Sequence, residues 1–380
     1  MNHFPEPLNL RDLRVLPLKD RHSLSSLERI TVDPDAPPPA CTPEMRRSLQ
    51  SAAEAIGSAR RKHASVVLMY GAHLVKNGAM GIVNQLLRQG WITHLATNGA
   101  GTIHDWELAF LGRTEESVRQ NVATGTVGTW DETGRCISLA LMAGALHQEG
   151  YGRSLGRFIA GDGTTLPPTA ELEQALRSDP GHPLSPARAD LLQVMRAHHI
   201  PSGPLHVAHP WRNSSILAEA FRLNVPITVH PGIGYDIITN HPIFSGAVVG
   251  RAAAIDFALF SRAVEGLDGG VLLSVGSAIM APQVFEKSLS CVNNLRLQAG
   301  RPIVSNHSFY VVDLQDGGGW DWAQGEPPKD NPAYYLRFCK SFARMGGAMH
   351  YAQCDNVAFL HNLLHQLSAP SPSLEPDQPR

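Results

Sequence analysis

The sequence of 380 residues lacks the features that would assign it to several special classes of protein. Its formal net charge is only −2, so no overall field attracts nucleic acid or an anionic membrane. No apolar stretch is as long as a membrane span, and residues 1–6 lack the core of a signal peptide. Five cysteines occur without C-x-x-C spacing, which argues against a disulfide framework. We therefore expect a cytoplasmic protein that acts on a small molecule and binds neither nucleic acid nor a membrane.

Common ligand-binding motifs are also absent. No G-x-G-x-x-G follows the first expected strand, and no Walker-type lysine motif occurs. No H-x-x-x-H spacing comes with a carboxylate on the same helix, so no metal site is expected. Any dinucleotide must therefore be held by other turns, for which 71–78, 97–101 and 276–278 are the candidates.

Short apolar runs that end in small residues recur along the chain. The runs at 64–70, 91–96, 225–229 and 271–275 do not alternate strictly, as expected for strands covered on both faces. Each leads into a stretch that is compatible with a helix. This pattern predicts an α/β fold with an open, doubly wound, mostly parallel sheet, Rossmann-like without the usual fingerprint. A TIM barrel is the main alternative.

The composition also divides the chain. Residues 1–45 are rich in proline and charge, which indicates an extended N-terminal arm suited to packing on a neighbouring subunit. Residues 46–367 read as one large α/β domain, in which 331–367 is expected to be helical. Residues 368–380 have the composition of a disordered tail.

The most informative turn reads T-N-G-A-G-T-I-H-D-W-E over residues 97–107. Its small residues let a ligand approach the backbone, and free N–H groups at a helix start suit an anion or a polar edge. His104, Asp105 and Glu107 would follow one turn into that helix. The alternative is a tight turn with a helix cap and no ligand.

Polar residues follow other expected strands as well. His230 and Asp236 come after the run at 225–229, and Asp316 follows an expected strand at 303–312. Carboxylates on several turns of one sheet edge would suit a cationic or polyhydroxylated substrate, and a histidine there could act as a general acid or base. The alternatives are helix capping for Asp236 and a structural role for His230.

Taken in order, these segments resemble the deoxyhypusine synthase superfamily over most of residues 60–330. The synthases have a turn after their first strand, a T-A-G-G-x-x-E-D turn, an H-I-P-V-F…G-D segment, a further glycine-rich turn and a Y-I-N-T-A-Q-E-F-D-G-S tract. The similar segments here are Gly71–Gly78, Thr97–Glu107, Asn224–Asp236, Gly276–Ala278 and Tyr310–Gly317.

The turn at 97–107 also resembles the NAD-binding ornithine cyclodeaminase domain that is fused to arginine dihydrolases, over residues 60–160. Both resemblances imply that NAD is the cofactor and serves as a recycled oxidant. A substrate (an amine, amino acid or polyol) would be oxidised, a group would add or leave, and the hydride would return. The synthase resemblance also implies a homotetramer.

The resemblance implies roles for individual residues. NAD would be bound by Asn77, Gly78, Thr97, Asn98, Gly99, Gly101, Asp105, Gly276 and Ser277. The expected catalytic residues are His104, Glu107, His230, Asp236 and Asp316.

The chain departs from the synthases at their E-A-x-S-W-G-K motif. Lys329 stands near the expected position of the imine-forming lysine, but the surrounding motif is missing. Deoxyhypusine synthase activity itself is therefore not expected. The alternatives to an NAD-dependent enzyme are a non-redox lyase or isomerase that uses histidine acid/base catalysis, and a non-catalytic ligand-binding homologue.

Overall fold

The structure is a computed structural model that describes residues 4–369. Three sheets lie within this part of the chain, and a parallel sheet of six strands is by far the largest of them. The strands are β1 (Ser25–Ser26), β2 (Val66–Tyr70), β3 (His94–Asn98), β4 (Arg113–Thr114), β5 (Gly163–Leu166), β6 (Gly203–His206), β7 (Ile227–His230), β8 (Val271–Val275), β9 (Ser308–Asp313) and β10 (Ala348–Gln353).

Helices connect these strands and cover both faces of the large sheet. They are α1 (Leu27–Ile30), α2 (Pro43–Arg61), α3 (Ala72–Lys76), α4 (Met80–Arg88), α5 (Gly99–Leu111), α6 (Val118–Thr124), α7 (Asp131–Ala145), α8 (Tyr151–Ala160), α9 (Thr169–Ser178), α10 (Ser185–Ala197), α11 (Ile216–Arg222), α12 (Gly246–Glu265), α13 (Met280–Gln298), α14 (Arg337–Ala343) and α15 (Asn356–Ser368). Of the tail expected at 368–380, residues 370–380 lie outside the described residues.

The strand order of the large sheet is β10-β9-β8-β2-β3-β7. The chain enters this sheet in the middle, at β2, continues outward through β3 and β7, and then crosses to the other side of β2, where β8, β9 and β10 follow. All neighbouring pairs in this sheet are parallel. This is the order of dinucleotide-binding doubly wound folds, in which ligands bind where the direction reverses. The predicted Rossmann-like parallel sheet is therefore confirmed, and the reversal lies between β2 and β8.

Burial on both faces explains why the strands lack an alternating pattern. In β2, Leu68 packs with one apolar cluster, to which α2, α4 and α5 contribute. Its neighbours Val67 and Met69 pack with the cluster on the opposite face, which includes Phe260 of α12 and Phe285 of α13. Since no side of these strands faces water, every position tolerates an apolar residue.

Two segments differ from the sequence-based expectation. The expected helix at 331–367 is interrupted by β10, which pairs with β9 at one edge of the sheet. The sequence also predicts that the alternation of strands and helices resumes at residues 205–208, but this segment does not continue the large sheet, because β6 pairs antiparallel with β5 and forms a separate two-stranded sheet. Helices α9 and α10 lie between these two strands in the sequence.

The described part of the N-terminal segment packs against its own chain. The amide of Leu16 donates to the carbonyl of Thr129 at 2.9 Å. Leu18 and Leu27 belong to the main apolar cluster, and Arg21 is 3% exposed. The segment is therefore part of the fold. The tetramer implied by family resemblance stays a prediction.

None of the helices within residues 4–369 combines the length and the apolar character that crossing a membrane requires.

Candidate functional site

A crevice of about 440 Å³ lies where the strand order reverses. Gly71 follows β2 and Gly276 follows β8, and both turns line it. A Cβ atom on Gly71 would lie 2.2 Å from the carbonyl oxygen of Gly276, so these two main chains are in contact. Gly276 also has a positive φ of 60°, which favours glycine. We call this cavity the switch-point crevice, and its base is main chain rather than side chain.

Polar groups converge on the switch-point crevice. Asn77 and Asn98 line it, and so does Asn356, whose Oδ1 is buried without a hydrogen-bond partner in the structure. Helix α13 begins there, and its N-cap residue Ile279 supplies no side-chain acceptor. The Ser277 hydroxyl accepts one N–H of the first turn, that of Ala281, at 3.3 Å. Pro282 has no N–H, so the amides of Ile279 and Met280 are the donors of that turn that remain for an anionic ligand.

A second cavity, of about 230 Å³, lies on the other side of the short helix α3. Lys76 at the end of α3 lines this cavity, whereas the next residue, Asn77, lines the switch-point crevice. We call the second cavity the charged cavity because acidic and basic side chains dominate its polar lining. These charged or titratable residues are Arg21, Lys76, His104, Glu107, Glu115, Glu116 and Asp236.

Among the residues that line the charged cavity, Glu107 makes the most side-chain hydrogen bonds. Its two oxygens accept from the two terminal nitrogens of Arg21, each at 2.8 Å. They also accept from the hydroxyls of Thr114, at 2.7 Å, and Thr133, at 2.9 Å. Both members of the ion pair are buried, with side chains 1% exposed. Glu107 is therefore held rigidly, and all of its strong acceptor positions are in use.

His104 is connected to the same group. Its Nδ1 lies 2.7 Å from the Thr114 hydroxyl, which in turn donates to Glu107. Burial lowers the pKa of His104, although the nearby Glu107 carboxylate opposes the shift. A neutral imidazole therefore lines the charged cavity near neutral pH.

The carboxyl group of Asp236 packs against Gly99, the first residue of α5. Its Oδ2 accepts from the amide of Gly232 at 2.8 Å, and the carboxyl group is nearly buried. Burial raises the pKa of Asp236 to about 6. A Cβ atom on Gly99 would lie 2.0 Å from Asp236 Oδ2, so the glycine creates the space that this carboxyl group fills.

Gly99→Ala is expected to lower the free energy of unfolding by about 1–3 kcal/mol, because the new methyl group must displace Asp236. Gly250→Ala is the matched control. Gly250 is an exposed residue within α12, and a Cβ there meets no atom within 4 Å. The control should gain about 0.5–1 kcal/mol from helix propensity. Urea titrations of both variants measure the difference; equal midpoints would show that Asp236 is not held against Gly99.

Several residues predicted to bind the cofactor support the turn instead of lining either cavity. The oxygens of Asp105 accept from the Ser215 hydroxyl and from the amides of Ile216 and Leu217, so they cap α11. Burial raises the pKa of Asp105 to about 6. Thr97 donates its hydroxyl proton to the carbonyl of Tyr70 at 3.0 Å.

Three predicted glycines have packing roles. A Cβ on Gly78 would lie 1.7 Å from the carbonyl oxygen of Ile30, and one on Gly101 would lie 2.3 Å from the Thr97 hydroxyl. Gly99 accommodates Asp236, as described above. Of the nine residues predicted for NAD, those that line the switch-point crevice are Asn77, Asn98, Gly276 and Ser277.

Two predicted catalytic residues lie apart from both cavities. His230 at the end of β7 packs edge-to-face on Phe260, with ring centroids 5.4 Å apart. Burial lowers the pKa of His230 to about 4. Asp316 is exposed, and its Oδ1 accepts from the amide of Gly318 at 2.6 Å within a local turn. Of the five residues predicted to be catalytic, His104, Glu107 and Asp236 line the charged cavity.

Metal ligation has no counterpart in the structure. Within residues 4–369, no group of three or more histidine, cysteine, aspartate or glutamate side chains is arranged to hold a metal ion.

No protein-family model matches the sequence, and no curated protein matches it. Solved structures do. Unliganded AgrE matches at 13% identity and TM-score 0.41, over 87% of this chain and 33% of AgrE. The complex of AgrE with ornithine and NAD⁺ matches at 13% identity and TM-score 0.38, over 86% and 33% of the two chains. This chain therefore spans about a third of the length of AgrE.

Two further solved structures are similar. A conserved putative LOR/SDH protein from Methanococcus maripaludis S2 matches at 13% identity and TM-score 0.39, over 88% of this chain and 73% of its own. A putative deoxyhypusine synthase from Entamoeba histolytica matches at 11% identity and TM-score 0.34, over 80% and 91%. ArgZ, an arginine dihydrolase from cyanobacteria, also matches, at 15% identity and TM-score 0.38, over 85% of this chain and 32% of its own.

Proposed function

We propose that this protein is an NAD-dependent enzyme that acts on a small polar metabolite by transient oxidation, with the cofactor recycled. The observation that carries the proposal is the switch-point crevice, where Gly71 and Gly276 expose main chain at the reversal of strand order. Doubly wound sheets bind dinucleotides at this point. Its volume of about 440 Å³ is in the range of cofactor sites.

The residues of the crevice fit a dinucleotide. The turn after β8 and the amides of Ile279 and Met280 at the start of α13 would hold the pyrophosphate. The unpaired Oδ1 of Asn356 would accept a hydrogen bond from the ligand. Asp313, at the end of β9, also lines the crevice and would accept from ribose hydroxyls. Since this carboxylate would repel a 2′-phosphate, the crevice should favour NAD over NADP. When bound, the extended dinucleotide would pass the start of α5, where Asn98 lines the crevice and Ala100 lines the neighbouring cavity, and its nicotinamide would supply a hydride acceptor there.

The charged cavity is the proposed substrate site. Two of its carboxylates are paired with bases, Glu107 with Arg21 and Glu115 with Lys76. Among residues 4–369, Glu116 and Asp236 have no basic partner; Glu116 accepts from the amide of Gly128 and the indole of Trp130 instead. The cavity therefore carries an excess of carboxylates, which favours an amine, amino acid or polyol over an anionic substrate.

Ala278→Asp tests the cofactor site. Ala278 lines the switch-point crevice just before α13, so the new carboxylate should repel the pyrophosphate. Ala278→Asn has the same shape without the charge and serves as the control. We expect NAD to bind the wild-type chain and Ala278→Asn within a few-fold of each other, and Ala278→Asp at least about tenfold more weakly. Isothermal titration calorimetry measures the three affinities. Equal NAD affinity for the Asp and Asn variants, or no binding to any, would contradict the proposal.

A non-redox lyase or isomerase is the second candidate. The charged cavity favours it because His104 and Asp236 could exchange protons with a substrate without any cofactor. Purified protein assayed with amines, amino acids and polyols separates the two candidates. NADH formation, or turnover that requires added NAD, supports the first. Turnover that is unchanged after NAD has been removed supports the second.

A further inference from the structure

A chain of hydrogen bonds fixes the position of one proton in the charged cavity. Glu107, paired with Arg21 through both oxygens, is a carboxylate and can only accept. The single hydroxyl proton of Thr114 is therefore directed to Glu107, at 2.7 Å. The Thr114 oxygen must then accept from His104 Nδ1, also at 2.7 Å. It follows that the neutral imidazole of His104 carries its hydrogen on Nδ1.

The other ring nitrogen is consequently a free acceptor. His104 lines the charged cavity, and its Nε2 has no hydrogen-bond partner among residues 4–369. The charged groups that act on the ring are Glu107, Lys76, Glu115 and Arg21. These form two ion pairs with each other, so their charges largely compensate. The lone pair of Nε2 is thus available to a ligand or a water molecule in the charged cavity.

A structural histidine of the same protein shows the contrast. His241 is buried, its Nδ1 accepts from the amide of Ile243 at 3.1 Å, and its Nε2 lies 3.4 Å from Asp131. Both of its nitrogens are used within the fold. His104 has one nitrogen held by a chain of polar groups and the other free at a cavity, which is the arrangement of a general base.

We propose that His104 accepts a proton from the substrate in the charged cavity, with Thr114 and Glu107 as the residues that position it. The hydride acceptor is the one named in the proposed function, on which this inference rests. The O–H or N–H bond of the substrate breaks, its proton bonds to Nε2, and its electron pair forms the new C=O or C=N bond. The hydride of the adjacent carbon would be accepted by the nicotinamide, which would reach the charged cavity past the start of α5.

Glu107 also stabilises the product of this step. The imidazolium keeps its Nδ1 hydrogen bonded to Thr114, and the carboxylate beyond Thr114 opposes the new positive charge. Asp105 cannot replace His104, because both of its oxygens are occupied by α11. The neighbouring positions 104, 105 and 107 thus have three different tasks: proton transfer, helix capping and positioning.

The ring proton is tested without substrate or cofactor. Nitrogen-15 NMR of the full chain with labelled histidine, assigned by His104→Gln, should show His104 as the Nδ1–H tautomer. Thr114→Val should release that hydrogen and give a mixture of tautomers, whereas Thr114→Ser should restore the wild-type signal. An Nε2–H tautomer in the wild type, or no change in Thr114→Val, would overturn the proposal.

Turnover provides the second readout, on any amine, amino acid or polyol that the wild type oxidises. His104→Gln should lower kcat by about 10²–10⁴-fold with NAD affinity unchanged. Thr114→Val should lower kcat and Thr114→Ser should recover it. The exposed His147, changed to Gln, is the control and should leave kcat unchanged. Full turnover in His104→Gln would overturn the proposal. Failure to bind NAD would instead contradict the proposed function, and the NMR result would still decide the role of Thr114.

Discussion

Arg21→Met should lower the free energy of unfolding by about 3–5 kcal/mol, the usual cost of leaving one buried ion-pair partner alone. Methionine keeps the length of the side chain but removes both hydrogen bonds to Glu107. The carboxylate, whose side chain is 1% exposed, would then have only the hydroxyls of Thr114 and Thr133. Urea titration followed by fluorescence measures the loss.

Two comparisons isolate the buried charge. Arg47→Met removes an ion pair with Glu44 whose side chains are 71% and 73% exposed, and should leave stability almost unchanged because solvent screens this pair. The double variant Arg21→Met with Glu107→Leu should recover much of the loss, because no charge remains buried. A similar cost for Arg21→Met and Arg47→Met would show that Arg21 is not needed as a counter-ion.

Asp256→Ala should cost about 2–5 kcal/mol, because it leaves buried N–H groups without an acceptor. Asp256 on α12 is fully buried, and its Oδ2 accepts from the amides of Gly152, at 3.0 Å, and Val229, at 2.8 Å. One carboxyl group thereby joins three elements: α12, the first turn of α8 and strand β7. Asp179→Ala, at an exposed position, is the control and should have little effect.

Asp256→Asn separates the acceptor from the charge. The amide keeps an oxygen for the two N–H groups, so this variant should lose less stability than Asp256→Ala. Burial raises the pKa of Asp256 to about 7, above the value of about 3.9 in an unfolded chain. Its contribution is therefore complete below pH of about 4 and is lost as the pH rises through about 7. The free energy of unfolding of Asp256→Asn should vary less with pH between 4 and 8 than that of wild type. Parallel pH profiles would contradict this.

The fold could be predicted from the sequence where a strand carries a strong local pattern. Strands β2, β3, β7 and β8 are buried on both faces, and each is an apolar run that ends in small or polar residues. Strand β10 was not predicted. It pairs with β9 on one side only, and its burial is irregular. Its residues Ala348–Gln353 therefore show neither a continuous apolar run nor an alternation of apolar and polar residues. Its place in the sheet depends on β9 rather than on its own sequence.

The candidate site was predicted only in part, and the reason is distance along the chain. The turn at 97–107 correctly indicated a helix that begins at Gly99 and carries His104 and Glu107. No local pattern indicates that Arg21 pairs with Glu107, 86 positions later, or that Asp105 caps a helix more than 100 positions away. Thr114 and Asn356 were also missed, because neither belongs to a motif: only the folded chain places Thr114 beside His104 and Asn356 at the switch-point crevice.

The contact between Gly71 and Gly276 bears on how such proteins can be recognised. Where these two turns touch, the surface of the crevice is main chain, so its shape there depends on the absence of side chains at two glycines. Sequences can then diverge almost freely around it while the same surface is inherited. Searches based on sequence patterns score the similarity of side chains, and they gain little from positions that must lack one. Related proteins should therefore be sought by the geometry of two touching turns at the reversal of strand order, rather than by a shared string of letters.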